Sequence, residues 1–257
     1  MTERALSFGA VAEAYERHRP GYPRELLDLV AEYAEHPVRT ALEIGAGTGK
    51  ATRLFAGAGI AVTATEPDAA MLAELRKRLP AVRAEQAAFE ELSPGERYDL
   101  VYAAAALHWT APEGRWPRGA ALLAPAGVFA SFGGPVRLAD PELARAVGAA
   151  GAPFLESDEI PSPDGTPPEQ AVQWPGTELQ QSAWFTDVRQ CEIARRLTMT
   201  AREYLDHLST ISAYLVLAPE DRAQVFRQIA RVLPEAVELD AGLTVHLARR
   251  RPGAVEG

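Results

Sequence analysis

The stretch Thr40-Ala-Leu-Glu-Ile-Gly-Ala-Gly-Thr-Gly-Lys-Ala-Thr52 decides the fold of this chain. A short apolar run ends at Glu43 and Ile44, and glycine then stands at positions 45, 47 and 49. Residues 51–56 read as the opening of a helix. The order predicts a strand, a glycine turn and a helix. Because glycine lacks a Cβ atom and tolerates positive φ, such a turn lets the backbone approach a nucleotide-like ligand at the helix N-terminus.

Strand and helix patterns alternate after this turn. Short apolar runs predict strands, and segments with apolar residues at helical spacing predict the helices between them. Regular alternation implies right-handed crossovers and a mostly parallel sheet with helices on both faces. The fold class is therefore α/β. The expected strands are 60–65, 82–86, 98–104 and 127–132, and the expected helices are 69–78 and 118–123.

Further elements are predicted before and after this alternating region. Residues 7–34 have helical spacing in two pieces, separated by Pro20 and Pro23, which cannot donate backbone hydrogen bonds. Residues 152–176 are rich in proline and acid and predict a long loop or a lid. The elements expected beyond it are a strand at 188–199, helices at 201–217 and 219–233, and a last strand at 243–248.

Composition narrows the class of partner. The chain has 257 residues, 47% of them hydrophobic, which is enough to bury one large core. Its formal net charge of −9 argues against nucleic acid, because such partners require a basic face. Cys191 is the only cysteine, so no thiolate metal cluster is expected. No apolar run approaches the ~20 residues that span a bilayer. We expect a cytoplasmic protein with no metal, membrane or nucleic-acid partner.

Two nucleotide motifs fit the glycine turn poorly. A phosphate-binding P-loop requires G-x-x-x-x-G-K-[ST], but Ile44 and Ala51 occupy two of its essential positions. A dinucleotide fingerprint requires G-x-G-x-x-G, and its third glycine would fall at Lys50. The first motif fails, and the second is weakened without being excluded.

A third motif fits better. Residues 42–49, Leu-Glu-Ile-Gly-Ala-Gly-Thr-Gly, resemble the first motif of the class I S-adenosylmethionine-dependent methyltransferases. Glu66 ends the second strand, about 20 residues past the glycine turn, where related folds place an acid on ribose. The resemblance to a bacterial small-molecule subgroup covers nearly the whole chain. The segments that carry it are Phe8-Gly9, Tyr15, 19–23, 98–101, 107–109 and the two closing helices with residues 208–210, Ser212 and Tyr214.

The resemblance implies a Rossmann-like seven-stranded sheet with a helical and loop substrate cap. It also implies S-adenosyl-L-methionine as cofactor and S-adenosylhomocysteine as product. Glu43 would lie near the methionine amino group, Glu66 would hold the ribose, and Arg19 would close over the carboxylate. Many relatives have Asp or Ser where Ala87 stands, which puts one adenine contact in doubt. The cofactor-binding residues implied are Tyr15, Arg19, Glu43, Gly45, Ala46, Gly47, Glu66, Pro67, Met71, Ala88, Phe89 and Ala104.

The acceptor side is less defined. His108 is a candidate base or substrate contact, because imidazole titrates near neutral pH. Trp109, Trp174 and Tyr214 are candidates for the substrate pocket. Each also has a purely structural interpretation, as a hydrogen-bonded histidine or as packed aromatic core.

The predicted function is methyl transfer to a small-molecule acceptor by in-line displacement, in a monomer or a homodimer. The alternatives are a protein that binds the cofactor without transferring its methyl group, as a scaffold cyclase or ligand-binding module, and a nicotinamide-dependent oxidoreductase. The atom methylated stays open. The predicted organisation is one domain, with a helical cap at 1–36, a cofactor-binding half at 37–134, a substrate cap and lid at 135–217, and a closing helix and strand at 218–257.

Overall fold

A computed structural model describes residues 8–93, 95–155, 161–167 and 169–253. Strands and helices alternate through the first half of the chain, as expected. The strands are β1 (Thr40–Ile44), β2 (Ala61–Thr65), β3 (Arg83–Glu85), β4 (Tyr98–Ala104), β5 (Leu123–Gly133), β6 (Arg137–Leu138), β7 (Phe185–Ile193), β8 (Arg196–Thr200), β9 (Ala236–Asp240) and β10 (Leu243–Arg250).

Helices flank the strands on both sides. A short 3₁₀ turn at Gly9–Val11 leads into the first of them. The α-helices are α1 (Ala12–His18), α2 (Glu25–Ala34), α3 (Lys50–Gly57), α4 (Ala69–Arg78), α5 (Arg115–Ala121), α6 (Pro141–Gly151), α7 (Gly176–Gln181), α8 (Ala201–Leu208), α9 (Ser212–Leu215) and α10 (Pro219–Val232). None of the described helices is long and apolar enough to cross a membrane.

The main sheet has seven strands in the order β3-β2-β1-β4-β5-β10-β7. Neighbouring strands from β3 to β5 pair in parallel, whereas β10 is antiparallel to both β5 and β7. Strand β7 therefore runs in the same direction as β1 to β5. The mostly parallel α/β sheet predicted from the alternation is confirmed. The carboxyl ends of these strands lie along one edge of the sheet, where ligands bind in open α/β folds.

The side chains of β1 point alternately to the two faces of the sheet, and both faces are buried. Ala41 packs in a core cluster with Leu26 of α2 and Phe55 of α3. Leu42 and Ile44 point to the other face, in a cluster with residues of α5 and α7. Helices therefore cover both faces, which explains why the strand reads as a continuous apolar run.

A second sheet was missed from the sequence. It has three strands in the order β6-β9-β8 and packs with α8 and α10 around its own core. The single strand expected at 188–199 is wrong, because β7 joins the main sheet and β8 joins the second sheet. The burial pattern alternates without interruption from Cys191 to Thr200, so the period of two continues across the break at residues 194–195. Only the pairing partners distinguish the two strands.

Two helix predictions are wrong in their bounds, and α6 was not predicted. The helix expected at 118–123 is α5, which begins earlier, at Arg115, and ends before β5. The helix expected at 201–217 is two helices, because α8 ends at Leu208 and Thr210 then binds another segment. Helix α6 lies in a region where no regular structure was predicted. Part of the expected lid at 152–176, residues 156–160 and 168, lies outside the described residues.

Two buried histidines predict a loss of stability in acid. His207 and His246 are 1% and 3% exposed, and burial lowers the pKa of each imidazole to about 4. The unfolded chain, with a pKa near 6.5, takes up protons first as the pH falls. Each histidine therefore makes the free energy of unfolding fall by about 1.4 kcal/mol per pH unit between pH 6.5 and 4.

The variant His246→Gln tests this effect, because an amide can still donate to Gln190, whose Oε1 lies 2.9 Å from His246 Nε2. Urea unfolding at pH 4.5, 5.5 and 6.5 is expected to give a slope smaller than that of the wild type by about 1.4 kcal/mol per pH unit. Equal slopes in the two proteins would contradict the prediction.

Candidate active site

The glycine turn between β1 and α3 has a left-handed backbone. Gly45, Gly47 and Gly49 have φ values of +64°, +57° and +87°, which other residues rarely adopt. A Cβ atom on Gly45 would lie 2.7 Å from the Cβ of Ala106, so the turn also needs glycine to pack on the segment after β4. A Cβ on Gly49 would lie 3.0 Å from Leu75 of α4. Gly45 and Gly47 line a cavity, whereas Gly49 packs against a helix.

The cavity runs along the carboxyl edge of the main sheet and has a volume of about 1360 Å³, including the part open to solvent. Its glycine end is lined by Glu43 to Thr48, Glu66, Pro67, Met71, Ala88 and Phe89. Its distal end is lined by Gly133, Gly134, Val136, Arg195, Ala241 and Leu243.

Glu43 is a buried acid at the end of β1. It is 1% exposed, and its Oε2 accepts hydrogen bonds from the hydroxyls of Thr52 (2.5 Å) and Tyr102 (2.8 Å). Burial raises the pKa of this carboxyl to about 8. A cation in the cavity would favour the carboxylate form. Neither hydrogen bond uses Oε1, so Glu43 can still accept a bond from a ligand.

Glu66 is a second acid that lines the glycine end. Its Oε2 accepts from the backbone N–H of Gly47 at 2.8 Å, and its Oε1 accepts from the N–H of Asp68 at 2.9 Å. Burial raises the pKa of this carboxyl, and the two backbone donors oppose the rise. A carboxylate has about four acceptor sites, so two remain for a ligand. Glu66 therefore holds the glycine turn and can offer a pair of acceptors.

Helix α1 is held onto the glycine turn by Glu16, which is 7% exposed. Its carboxylate accepts from the Thr48 hydroxyl and from the Arg53 guanidinium, both at 2.7 Å. Lys50 Nζ donates to the Glu16 carbonyl oxygen at 2.7 Å and lies 3.6 Å from the carboxylate. We call these four residues the cap latch. They join the wall formed by the N-terminal segment to the first helix after the turn.

Arg19 joins the N-terminal segment to the C-terminal helices. Its Nε donates to the Thr210 hydroxyl at 2.9 Å, and its NH2 group donates to the Thr210 carbonyl oxygen at 3.0 Å. Its guanidinium lies 5.3 Å from the centre of the Tyr15 ring. Both residues line the cavity, and neither bond to Thr210 uses the NH1 group.

The structure brings the predicted cofactor residues together. All of them line the cavity, and so does Trp109 from the predicted substrate pocket. This shared lining includes Tyr15, Arg19, Glu43, Gly45, Ala46, Gly47, Glu66, Pro67, Met71, Ala88, Phe89 and Ala104.

Three predicted residues lie outside the cavity lining. The His108 ring packs on Trp109, with 4.5 Å between ring centroids. Trp174 lies against the Arg115 guanidinium, 5.2 Å away, in the core near α5. Tyr214 is 3% exposed and stacks on Phe226 in the core of the second sheet. The structural interpretation describes Trp174 and Tyr214 better than a substrate contact does.

Other lining residues were not predicted from the sequence. Lys50 and Thr48 belong to the glycine motifs without a role of their own, and Glu16 is one of several acids on an amphipathic helix. Arg195 lay inside the strand expected at 188–199, where no ligand contact would be sought. No signal in the sequence distinguishes these residues, because their partners lie far away in the chain.

Comparison with known proteins identifies the family. A family profile described as a methyltransferase domain matches residues 42–129. An uncharacterized methyltransferase of Mycobacterium tuberculosis is 35% identical over 178 residues, which are 66% of this chain and 70% of that protein. The chain belongs to the class I S-adenosylmethionine-dependent methyltransferases. The oxidoreductase alternative is therefore wrong, and S-adenosyl-L-methionine is the cofactor.

Two further proteins are similar to this methyltransferase over part of its sequence or in fold. A trans-aconitate 2-methyltransferase of Paracidovorax citrulli is 43% identical over 121 residues, which are 45% of this chain and 44% of that protein. A solved structure of a candidate type II methyltransferase from Anaeromyxobacter dehalogenans aligns with a TM-score of 0.62 at 24% identity, over 90% of this chain and 97% of the other. At that identity the alignment supports the fold alone.

The cap latch predicts a stability difference between two acids on α1. Glu16→Gln is expected to lower the free energy of unfolding of the methyltransferase by about 2 kcal/mol, because a buried carboxylate leaves Lys50 and Arg53 without their partner. Glu13→Gln is the matched control, since Arg17 is the one cation paired with Glu13 in the described part of the chain and both side chains are exposed. It should change stability by less than about 0.5 kcal/mol. Urea unfolding measures both, and equal effects would contradict the latch.

Proposed function

We propose that this methyltransferase moves a methyl group from S-adenosylmethionine to a small-molecule acceptor bound at the distal end of the cavity. The observation that carries the proposal is the extent of the cavity. Its lining continues from Gly45 and Glu66 at the glycine end to Gly133 and Arg195 at the distal end. A cofactor with its nucleoside at the glycine end leaves the distal end for a second molecule.

The residues of the glycine end fit the cofactor. The acceptor sites of Glu66 suit the two ribose hydroxyls, and Glu43 suits the ammonium group. Arg19 has a free NH1 for the carboxylate, to which a guanidinium fork is well matched. The remaining contacts in this proposal are the backbone at Gly45, Ala46 and Gly47, closure by Tyr15, and an apolar site for adenine formed by Pro67, Met71, Ala88 and Phe89.

Methyl transfer requires the protein mainly to align the two reactants and to exclude water. When bound, the cofactor supplies a methyl group already activated by a sulfonium sulfur. The chain aligns the acceptor with that methyl group and excludes water, which together lower the barrier. The N-terminal segment, held by the cap latch and by the bonds from Arg19 to Thr210, forms the wall that closes the cavity.

A general base is missing from the described lining of the distal end. The rest of the cavity lining includes the Tyr22 phenol, whose pKa is raised by burial, and a third carboxylate, Glu90, whose Oε1 accepts the Ala111 N–H at 2.6 Å. His108 lies outside the lining. An acceptor whose nucleophile is already ionised at neutral pH needs no base. This favours a carboxylic acid, and the relatives named trans-aconitate 2-methyltransferase support that class.

The test is incubation of the enzyme with methyl-labelled S-adenosylmethionine and a panel of small acids, amines, phenols and thiols. We expect labelled methyl esters of acids, detected by mass spectrometry. A label found only on amines, phenols or thiols would refute the acid acceptor. The absence of label from every class, with S-adenosylhomocysteine still bound, would favour the alternative of cofactor binding without transfer.

A further inference from the structure

We propose that the acceptor is a dicarboxylate and that Arg195 selects it by binding one carboxylate while the other receives the methyl group. This inference rests on the proposed function and specifies the acceptor and its specificity-determining residue.

Topology places Arg195 away from the proposed cofactor residues. It lies between β7 and β8, just past the carboxyl end of β7 at Ile193. In the sheet order, β7 and β10 lie on the opposite side of β4 from β1, β2 and β3, which carry the glycine end. Arg195 therefore lines the cavity at the half of the sheet edge that the proposed cofactor contacts leave open.

The charges of the cavity leave Arg195 without an assigned partner. Three cationic side chains line the cavity: Arg19, Lys50 and Arg195. Arg19 is bonded to Thr210 and is proposed to bind the cofactor carboxylate. Lys50 is neutralised by Glu16 at 3.6 Å. Within the described residues, no carboxylate lies within 4.0 Å of Arg195. A half-buried cation without an acidic partner favours an anionic ligand.

One hydrogen bond orients the Arg195 guanidinium. Its NH1 donates to the carbonyl oxygen of Gly21 at 2.6 Å, which ties the loop after β7 to the N-terminal segment. A guanidinium has five N–H donors in a rigid plane, so most of them remain for a ligand. Two parallel donors match the two oxygens of a carboxylate. The bond to Gly21 therefore holds one nitrogen of the Arg195 guanidinium, and the other donors can bind a carboxylate bidentately.

A second carboxylate is an acceptor group that needs no base. A carboxylate bound by Arg195 is neutralised and positions the molecule, so a separate group must attack. A second carboxylate oxygen can form the new O–CH₃ bond as the S–CH₃ bond breaks and the sulfonium becomes a neutral thioether. No proton moves in this step, which agrees with a distal end whose described lining includes no histidine and no carboxylate.

The experiment compares four proteins: wild type, Arg195→Met, Arg195→Lys and the control Arg196→Met. Arg196 is exposed, lies outside the cavity lining and carries the same charge one residue further on. Binding of the diacids glutarate and adipate and of the monoacid butyrate is measured calorimetrically on each protein saturated with S-adenosylhomocysteine. Methyl transfer from labelled S-adenosylmethionine to the same acids gives kcat and KM.

We expect the diacids to bind the wild type more tightly than butyrate. Arg195→Met should weaken diacid binding and raise KM by about tenfold to a hundredfold, the effect of losing a charged bidentate contact. Arg195→Lys should restore part of the affinity, and Arg196→Met should match the wild type. The affinity for S-adenosylhomocysteine should be the same in all four proteins.

Two results would overturn the inference. Equal diacid affinity in wild type and Arg195→Met would show that the guanidinium does not bind the acceptor. A preference of the wild type for butyrate would show that a second carboxylate is not required. Either result leaves methyl transfer to an acid intact. Conversely, diacid binding that depends on Arg195, without labelled product, would support the binding role while refuting the proposed reaction.

Discussion

Replacing Glu66 with alanine is expected to weaken binding of S-adenosylhomocysteine by at least about a hundredfold. The change removes the acceptors proposed for both ribose hydroxyls, and each hydrogen bond to a charged group contributes about 1.5–3 kcal/mol. It also frees the N–H groups of Gly47 and Asp68, which the carboxylate holds at 2.8 and 2.9 Å. The glycine turn therefore loses its support at the point where the nucleoside is proposed to bind.

Titration calorimetry measures the effect, with Glu85→Gln as the control. Glu85 is an acid at the end of β3 that pairs with Arg83 and lies outside the cavity lining. Its replacement should leave the affinity within about twofold of the wild type, because exposed pairs contribute little. A Glu66→Ala protein that unfolds like the wild type and still binds the ligand within threefold would rule out the ribose contact.

Replacing Glu43 with glutamine is expected to remove proton release on cofactor binding. With a pKa of about 8, the carboxyl is mostly protonated at pH 7 before the ligand binds. An ammonium group placed beside it favours the carboxylate, so the pKa falls and about one proton leaves. Glutamine has no proton to lose. Binding heats at pH 7 in phosphate and in Tris buffer should therefore differ for the wild type and agree for the variant.

The pKa of the Glu43 carboxyl also determines whether stability rises or falls with pH. The ligand-free folded protein keeps the Glu43 proton up to about pH 8, whereas the unfolded chain loses it near pH 4.5. Between these values the folded state binds more protons, so Glu43 makes stability fall as the pH rises. The glutamine variant should lack this contribution. If the difference between the binding heats in phosphate and in Tris were the same for the wild type and the variant, the position of Glu43 beside the ammonium group would be contradicted.

Local patterns were enough to predict the half of the fold that builds the glycine end. β1, the glycine turn and α3 are adjacent in sequence, and each has a strong signal of its own. β4 and α4 were predicted with their observed bounds, Tyr98–Ala104 and Ala69–Arg78. Because parallel strands place their carboxyl ends at one edge, the strand order along the chain also brought Glu43 and Glu66 to the same cavity.

The distal end could not be predicted, because its residues come together only through strand pairing. β7 and β8 have the same alternating pattern, and their assignment to different sheets depends on β10 and β9. Arg195 lies at that break, so its place in the cavity follows from the pairing. The bond from Arg19 to Thr210 spans 191 residues in sequence, and no local pattern encodes it.

A crystal structure of the methyltransferase with S-adenosylhomocysteine tests the central claim most directly, since that claim is a cavity shared by cofactor and acceptor. We predict the ribose hydroxyls on Glu66, the amino-acid end between Glu43 and Arg19, and the sulfur facing Gly133 and Arg195 across the open distal end. A nucleoside bound at the distal end, or a sulfur that faces away from Arg195, would contradict it.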